Sequence, residues 1–467
     1  MNPTGTAVSN SEPGARLRRW QKITAASLFV GYAGYYLGRS CLAIATPLMV
    51  EAGPSHGLTK EQIGLIASVG VLTYAIGKVI NGLIVDYIGG RRMFLFGMAA
   101  TVACTVAFGL GGTLPVLVAV WGANRFFQSM GWNALVKTAS RWYPAHRQAT
   151  IMGFLALSFL FGDAIDRGYL GGLVAIGQKS AGTPLEILAD WRTVFLIAAG
   201  TLAVITIVLA FVLRSSPQDL GLEEPSANPQ NVFGEAGQSA ATVPLLELLL
   251  PFLVSPVFWS ICGINFGLTL IREAFNNWSS TYLKDVAGLT SGNAGIASLI
   301  FPLAGGVSAI GAGLLSDRLG GRHGRVVVPS LVLLLVSLGT MACVNVTGRP
   351  IAAMALVAGT SFFLIGPYSY LSGVMALDLG GKRGSATAAG LIDGGGYVGA
   401  IASGWGVAAI AAHYEWKGVF LSLAGVCCLT LIAAVAYLIL SERTRPKLSA
   451  PDITQTEPSQ PDDRRRT

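Results

Sequence analysis

Apolar runs of about 20 to 28 residues, separated by short polar stretches, recur along the chain from Ile23 to Leu440. Each is long enough to cross a hydrocarbon core of ~30 Å as a helix rising ~1.5 Å per residue. With Gly, Pro and charge clusters as punctuation, spans are predicted to begin near Ile23, Glu61, Met93, Val116, Ala149 and Thr193. A second set begins near Pro256, Gly292, Val326, Ile351, Gly384 and Val419. Between the sets, Arg214 to Val243 (RSSPQDLGLEEPSANPQNVFGEAGQSAATV) is rich in Pro, Gly, Ser and acids and reads as a flexible linker. The pattern predicts an all-α polytopic membrane protein with twelve transmembrane helices in two six-helix bundles. Its expected divisions are an N-terminal tail over 1–20, a bundle over 21–213, a linker over 214–250, a second bundle over 251–440 and a tail over 441–467.

Composition strengthens this reading. Of 467 residues, 52% are hydrophobic and only 12% charged, where a soluble domain carries about 25% charged residues. Mean hydropathy is +0.59, which excludes an ordinary soluble enzyme. The 59 glycines suit helices whose backbones approach closely in lipid. Cys41, Cys104, Cys262, Cys343, Cys427 and Cys428 all fall in apolar stretches without CxxC spacing, so they read as small packing residues. His56, His146, His323 and His413 are too scattered for a zinc pattern, and no Ser/His/Asp or Cys/His constellation is visible. No enzyme activity, cofactor or metal is therefore expected. The polar start leads into a long span without a cleavage site, so no removable signal peptide is expected.

The net charge of +8 is a topology signal, not a nucleic-acid footprint. If both termini face the cytoplasm, inner segments collect 20 of the 32 basic residues and outer loops 6, with 6 inside spans. The positive-inside rule then places both ends in the cytoplasm of a cell inner membrane.

An internal repeat relates the halves. GLIVDYIGGRR from Gly82 to Arg92 follows the second span, and GLLSDRLGGR from Gly313 to Arg322 follows the eighth. Two such loops in register resemble the signature of the major facilitator superfamily, which implies two bundles around a central cavity. In that superfamily this loop locks the halves in one state and releases them in the other. The resemblance assigns gating to Asp86, Arg91, Asp317 and Arg322, and gating or helix packing to Arg125 in RFFQSMGW, which resembles the fourth-helix Arg motif of the superfamily. A plainer reading, in which Asp86 and Asp317 cap helices and pair with nearby Arg, is compatible with it.

Ionisable residues at mid-span cost at least ~2.5 to 3.5 kcal/mol each on insertion scales, so each needs a reason. Arg39 and Arg272 occupy equivalent places in the first span of each half, with no acid at i+3 or i+4; Glu273 is adjacent but on another face. Two guanidiniums facing one cavity form a donor fork for a dianionic phosphate. Lys78, with Tyr74 one turn before it, is a third cation, alternatively one that snorkels toward an interface. In LALSFLFGDAIDRGYLGGLV, Asp163 pairs with Arg167 at i+4 and Asp166 adds a further acid, so one carboxylate is left over. Asp393 in AAGLIDGGGYVGA divides between an interhelical salt bridge and a substrate role. Six deep cations (Arg39, Lys78, Arg125, Lys137, Arg167, Arg272) face four deep acids (Asp163, Asp166, Glu273, Asp393), a surplus of two that would match a phosphoryl group.

RWQKITAASLFVGYAGYYLGRS, FFQSMGWNALVKTASRWYPAHRQATIMGF, REAFNNWSSTYLKD and SATAAGLIDGGGYVGA resemble the organophosphate:phosphate antiporter family, which includes bacterial glycerol-3-phosphate and hexose-phosphate transporters. The resemblance implies that Arg39 and Arg272 bind the phosphate moiety, with Lys78, Tyr32 and Tyr36 at matching positions. Tyr74, Trp132, Asp163, Asn277 and Asp393 complete the expected substrate-binding set. Ser40 stands where the glycerol-phosphate members have Lys, the Phe159-Leu160 neighbourhood where they have His, and Asn277 where they have an acid, while Trp278 is kept. Phosphate recognition is thus expected to persist while the groups reading the organic part differ. The absence of GxxxxGK[ST] means that transport draws on a gradient. The expected partners are a small organic phosphate, inorganic phosphate and the lipid bilayer, with no nucleic acid and a monomeric chain. A proton-coupled organic-anion symporter, with Asp163 or Asp393 carrying the proton, and a sugar-phosphate sensor remain open alternatives.

Overall fold

The computed structural model describes residues 12–52, 58–289 and 291–443. The N-terminal half contains α1 (Glu12–Glu51), α2 (Lys60–Ile88), α3 (Gly90–Gly109), α4 (Leu114–Gln128), α5 (Met130–Trp142), α6 (Ala145–Lys179) and α7 (Trp191–Val212). The C-terminal half contains α8 (Leu245–Leu253), α9 (Pro256–Asp285), α10 (Ser291–Ala297), α11 (Ile300–Arg318), α12 (Gly324–Cys343), α13 (Pro350–Leu371) and α14 (Val374–Arg443). Helices α4 and α5 meet at Ser129 as one span, as α10 and α11 do near Leu299. Non-helical backbone at Gly381, Gly384 and Glu415 divides α14, leaving 385–414 and 416–443 as the last two spans. The result is an all-α membrane protein of twelve spans.

The breaks follow from local chemistry. Thr59 and Gln62 form a capping box that starts α2, and Asp190 and Ser255 accept backbone N–H bonds at the starts of α7 and α9. Gly89 turns the chain between α2 and α3 at φ +98°, where a side chain would be strained. Among the described residues, eight helical stretches are long and apolar enough to cross a membrane, and the bent pair α8 and α9 makes a ninth. Spans outside that set include α1 and the α4–α5 pair, which carry part-buried Arg39 and buried Arg125. Their polarity is turned inward, which lowers hydropathy without facing lipid.

The two halves touch chiefly along two symmetric seams, and both depend on glycine. A Cβ at Gly82 of α2 would stand 2.8 Å from the Ala386 carbonyl and 2.9 Å from Gly390. A Cβ at Gly153 of α6 would stand 2.6 Å from the Ala309 carbonyl, and one at Gly313 2.7 Å from the Ala149 carbonyl. Both seams lie toward the end of the bundle that carries the α2–α3 and α11–α12 loops, termed here the loop face.

The central stretch departs from the expected flexible linker. Short 3-10 turns form at Pro217–Leu220 and Gly234–Gln238. Glu224 ties the halves together, accepting from Arg141 Nη2 at 2.5 Å and pairing with Lys382 Nζ at 3.2 Å. Asn228 donates to Asp378 at 2.8 Å, and the Val232 N–H bonds the Leu379 carbonyl at 2.9 Å. Composition suggested flexibility because Pro, Gly and acids cannot build a core of their own. Here the stretch borrows one from both bundles, and α8 begins within it.

Candidate functional site

Helices α1 and α9 hold Arg39 and Arg272 on opposite sides of a central cavity of about 710 Å³. That volume accommodates a small organic ligand. All ten residues expected to bind substrate line it: Tyr32, Tyr36, Arg39, Tyr74, Lys78, Trp132, Asp163, Arg272, Asn277 and Asp393.

Each arginine rests on an aromatic ring. The Arg39 guanidinium lies 5.2 Å from the Tyr36 ring centre and 5.0 Å from that of Tyr74, while Arg272 lies 4.4 Å from that of Tyr368. Arg39 donates to the Tyr36 hydroxyl at 3.2 Å and has no carboxylate partner among the described residues. Arg272 Nη2 pairs with Glu273, while its buried Nε has no hydrogen-bond partner. This corrects the expectation that Glu273 faces elsewhere. Adjacent helical positions diverge by ~100°, but two long side chains can bend back to meet at the cavity.

Lys78 and Asp393 form an ion pair of 2.7 Å across the halves, with side-chain exposures of 3% and 8%. Of the alternatives for these residues, the fold realises the interhelical bridge at the cavity wall, and Lys78 does not snorkel. Tyr74 lies among Arg39, Lys78 and Arg125, whose cationic centres are 5.0, 5.4 and 4.5 Å from its ring centre, and it meets Tyr397 edge-on at 5.3 Å. Trp132 packs on Tyr32 and donates from its indole N–H to the Ser372 carbonyl of the other half at 2.9 Å.

On α6, Asp163 accepts from Arg167 Nε at 2.8 Å and from Ser40 Oγ at 2.8 Å. Ser40 thus ties α1 to the acid of α6. The leftover carboxylate is Asp166, which is buried and does not line the cavity. The expected surplus of two positive charges also changes. The lining holds four cations (Arg39, Lys78, Arg167, Arg272) and three carboxylates (Asp163, Glu273, Asp393), a surplus of one. Arg125 sits behind Tyr74, and Lys137 lies at the loop face.

At the loop face, Asp86 accepts from the Thr387 N–H at 2.7 Å and pairs with Lys137 at 2.7 Å. Lys137 in turn donates to the carbonyls of Lys382 and Arg383 at 2.6 and 3.0 Å. In the other half, Asp317 accepts from the Thr150 N–H at 2.8 Å. Among the described residues neither acid pairs with Arg, so the plainer expectation of an Asp–Arg pair is not met there. Arg91 bonds the Leu213 and Ala210 carbonyls at 2.6 Å each, and Arg322 approaches Glu442 at 3.9 Å. Arg91 therefore holds the end of α7, whereas Glu442 at the end of α14 is bonded by Arg325 at 2.8 and 3.1 Å with Arg322 only close by, because long side chains reach the exposed carbonyls or acids of a helix terminus. Arg125 donates to Gln128 at 2.6 Å at mid-depth, away from these contacts.

Several participants escaped the sequence reading. Tyr368 and Tyr397 line the cavity; Tyr397 follows Asp393 by four residues as Tyr74 precedes Lys78 by four, a symmetry that could have revealed it. Glu224 carried no signal inside its polar stretch. The fold also assembles a Ser/His/Asp chain unseen in the sequence, with Ser316 Oγ 2.6 Å from His323 Nδ1 and His323 Nε2 2.7 Å from Asp378. Ser316 is fully buried outside the cavity lining, so this chain braces α11, α12 and α14 and presents no nucleophile.

Residues 28–404 match the family model of the Major Facilitator Superfamily, with a second match over 290–461. The chain is 27% identical to a probable hexose phosphate transport protein of Chlamydia trachomatis, covering 92% of this chain and 93% of the relative. It is 28% identical to the membrane sensor protein UhpC of Salmonella typhimurium, over 90% of this chain and 93% of the relative. Among solved structures, a Major Facilitator Superfamily transporter, FucP, in the outward conformation covers 92% of this chain and 100% of its own, with a TM-score of 0.63 at 13% identity. That structural likeness bears on the fold alone.

Proposed function

Because the chain belongs to the Major Facilitator Superfamily, we propose that it is a secondary transporter that carries a small phosphorylated organic anion in exchange for inorganic phosphate. The observation that carries this reading is the pair Arg39 and Arg272, set on symmetric helices across one cavity with guanidinium donors left unpaired. Guanidiniums with free N–H groups can meet two oxygens of a tetrahedral phosphoryl group with paired donors, so they recognise it by charge and geometry together. The transport names of the relatives, including a glycerol-3-phosphate transporter of Bacillus subtilis at 25% identity, agree with such a ligand.

Transport would proceed by alternating access. With the basic loop face in the cytoplasm, as the distribution of Lys and Arg supports, Asp86 and Asp317 latch the cytoplasmic side and the cavity serves the opposite side. A phosphoryl group bridging Arg39 and Arg272 draws α1 and α9 together, which favours closure on that side and strains the latches. The empty cavity keeps surplus positive charge that resists closure, so exchange is favoured over net movement. Asp163, Arg167 and Asn277 would read the organic part.

Purified protein in vesicles loaded with inorganic phosphate should take up labelled phosphate by counterflow, and a panel of phosphate esters and phosphonates should compete. Absence of any phosphate counterflow in folded protein would reject the reading. Similarity to a membrane sensor supports a second reading, a phosphate-ester receptor; saturable binding with negligible flux would establish it in place of transport.

A further inference from the structure

Behind the cavity wall, where α6 packs on α1, lies a carboxyl group that transport as described does not use. Asp166 is 4% exposed, its Oδ2 makes no hydrogen bond, and among the described residues no cation pairs with it. Its neighbour Arg167 is held by Asp163. The face of α6 that carries Asp166 is the close-packed one. A Cβ at Gly162, one turn before, would stand 3.0 Å from the Ala33 Cα of α1, and Leu170, one turn after, is buried. The titratable group acting on Asp166 is Asp163 on its own helix, and Asp166 in turn acts on the buried Cys41 thiol on α1. The other elements against α6, namely α7, α11, α13, α14 and the turn Pro184–Ala189, bring no charged side chain to it among the described residues.

A buried carboxylate without a cation is strongly disfavoured, and the group escapes the penalty by taking a proton. We infer that Asp166 is a proton-binding site, and that its proton is linked to anion binding in the cavity through the Asp163–Arg167 pair. The linkage rests on the proposal that the cavity binds phosphate; the proton site itself does not. An anion that draws on Arg167 loosens its hold on Asp163, leaving two carboxylates at i and i+3 on one helix, ~5 to 6 Å apart at Cβ. Two such acids do not readily remain ionised together, so the bound anion favours the proton on Asp166. The lining surplus of one is also short of the −1.5 to −2 of a phosphate monoester, and a neutral Asp166 avoids reducing that surplus from behind. By linkage, acidification should then tighten anion binding as much as anion binding promotes proton uptake.

Two measurements test this. Infrared spectroscopy of the purified wild type at neutral pH should show the carbonyl stretch of a buried protonated carboxylic acid, retained in Asp163→Asn and lost in Asp166→Asn. Calorimetric binding of a phosphate monoester, glycerol 3-phosphate, at a pH where the infrared band is partly lost and in buffers of different ionisation enthalpy, should show wild-type proton uptake beyond that of the variant, the ester's own titration cancelling in the comparison. Wild-type affinity should fall by up to about tenfold per pH unit relative to Asp166→Asn as pH rises through the group's titration. Absence of the infrared band in the wild type, its persistence in Asp166→Asn, or identical pH dependence of binding in the two proteins overturns the inference. Should Asp166→Asn not fold, Asp166→Glu supplies the second test: a carbonyl band shifted in frequency assigns the protonated acid to this position, and an unshifted band overturns the inference. Should the wild type bind neither inorganic phosphate nor the ester at any pH, the proposed transport function fails, while the infrared band separately tests the proton site.

Discussion

Asp86→Asn isolates the latch, because it removes a charge while keeping the shape of the side chain. The Asp86 side chain is 2% exposed and holds two contacts at 2.7 Å, one from the Thr387 N–H across the halves and one from Lys137. A hydrogen bond to a charged group contributes about 1.5 to 3 kcal/mol, and the buried Lys137 ammonium loses its counter-ion as well. An amide can keep one acceptor for Thr387 but turns its NH₂ toward a donor. The latched state should therefore lose about 2 to 4 kcal/mol relative to the released state, in which residue 86 is hydrated. At 1.4 kcal/mol per factor of ten, the latched-to-released ratio falls by about 30-fold to about 700-fold. Asp317 makes a single cross-half bond, from Thr150 N–H at 2.8 Å, and pairs with no cation among the described residues. Asp317→Asn should accordingly shift the ratio by only about 5-fold to about 30-fold. A reporter cysteine at Ser372, whose carbonyl receives the Trp132 N–H at the sealed end of the cavity, can be labelled from the loop face in a background without Cys343 and Cys428. Labelling should accelerate most in Asp86→Asn and less in Asp317→Asn, with phosphate affinity within a few-fold of wild type. Unchanged labelling in Asp86→Asn, a larger effect at Asp317, or a large loss of affinity would refute the reasoning.

Arg39→Lys and Arg272→Lys should each depress phosphate counterflow severely, by roughly 2 to 5 kcal/mol in apparent binding, since ammonium keeps the charge but not the planar donor fork; near-normal exchange in inserted protein counts against the phosphate site. The pair Asp163→Asn with Arg167→Gln should keep phosphate–phosphate exchange measurable and reorder competition among phosphate esters, whereas an unchanged ranking assigns these residues to packing. Gly390→Ala places a Cβ against the Lys78 carbonyl and 2.9 Å from Gly82, so it should favour the released state by wedging α2 from 385–414; a labelling rate at Ser372→Cys equal to that of the parent contradicts this. Glu224→Gln breaks the bridge between Arg141 and Lys382 and should likewise raise that labelling rate, an effect that high salt should leave largely intact because the Glu224 and Lys382 side chains are buried.

Much of this architecture is legible in the linear chain for a simple reason. A bilayer offers no water to the backbone, so every crossing must be a long apolar helix, and such helices announce themselves one at a time. The same economy exposes Arg39, Lys78, Asp163, Arg272 and Asp393, because a charge in an apolar run is conspicuous, and all five line the cavity. What each charge pairs with is a different matter. Lys78 with Asp393, Asp86 with Thr387 and Glu224 with both Arg141 and Lys382 are contacts between distant segments, set by how the two bundles and the central stretch dock. No local spacing encodes that docking. Rotation of α6 about its axis decides that Asp163 faces the cavity while Asp166, three residues on, is buried behind it. The tight approach of Gly162 to Ala33 sets that rotation. Span identity is a local property of solvation and is therefore written locally, whereas the partners of buried charges depend on long-range packing and emerge only when the helices assemble.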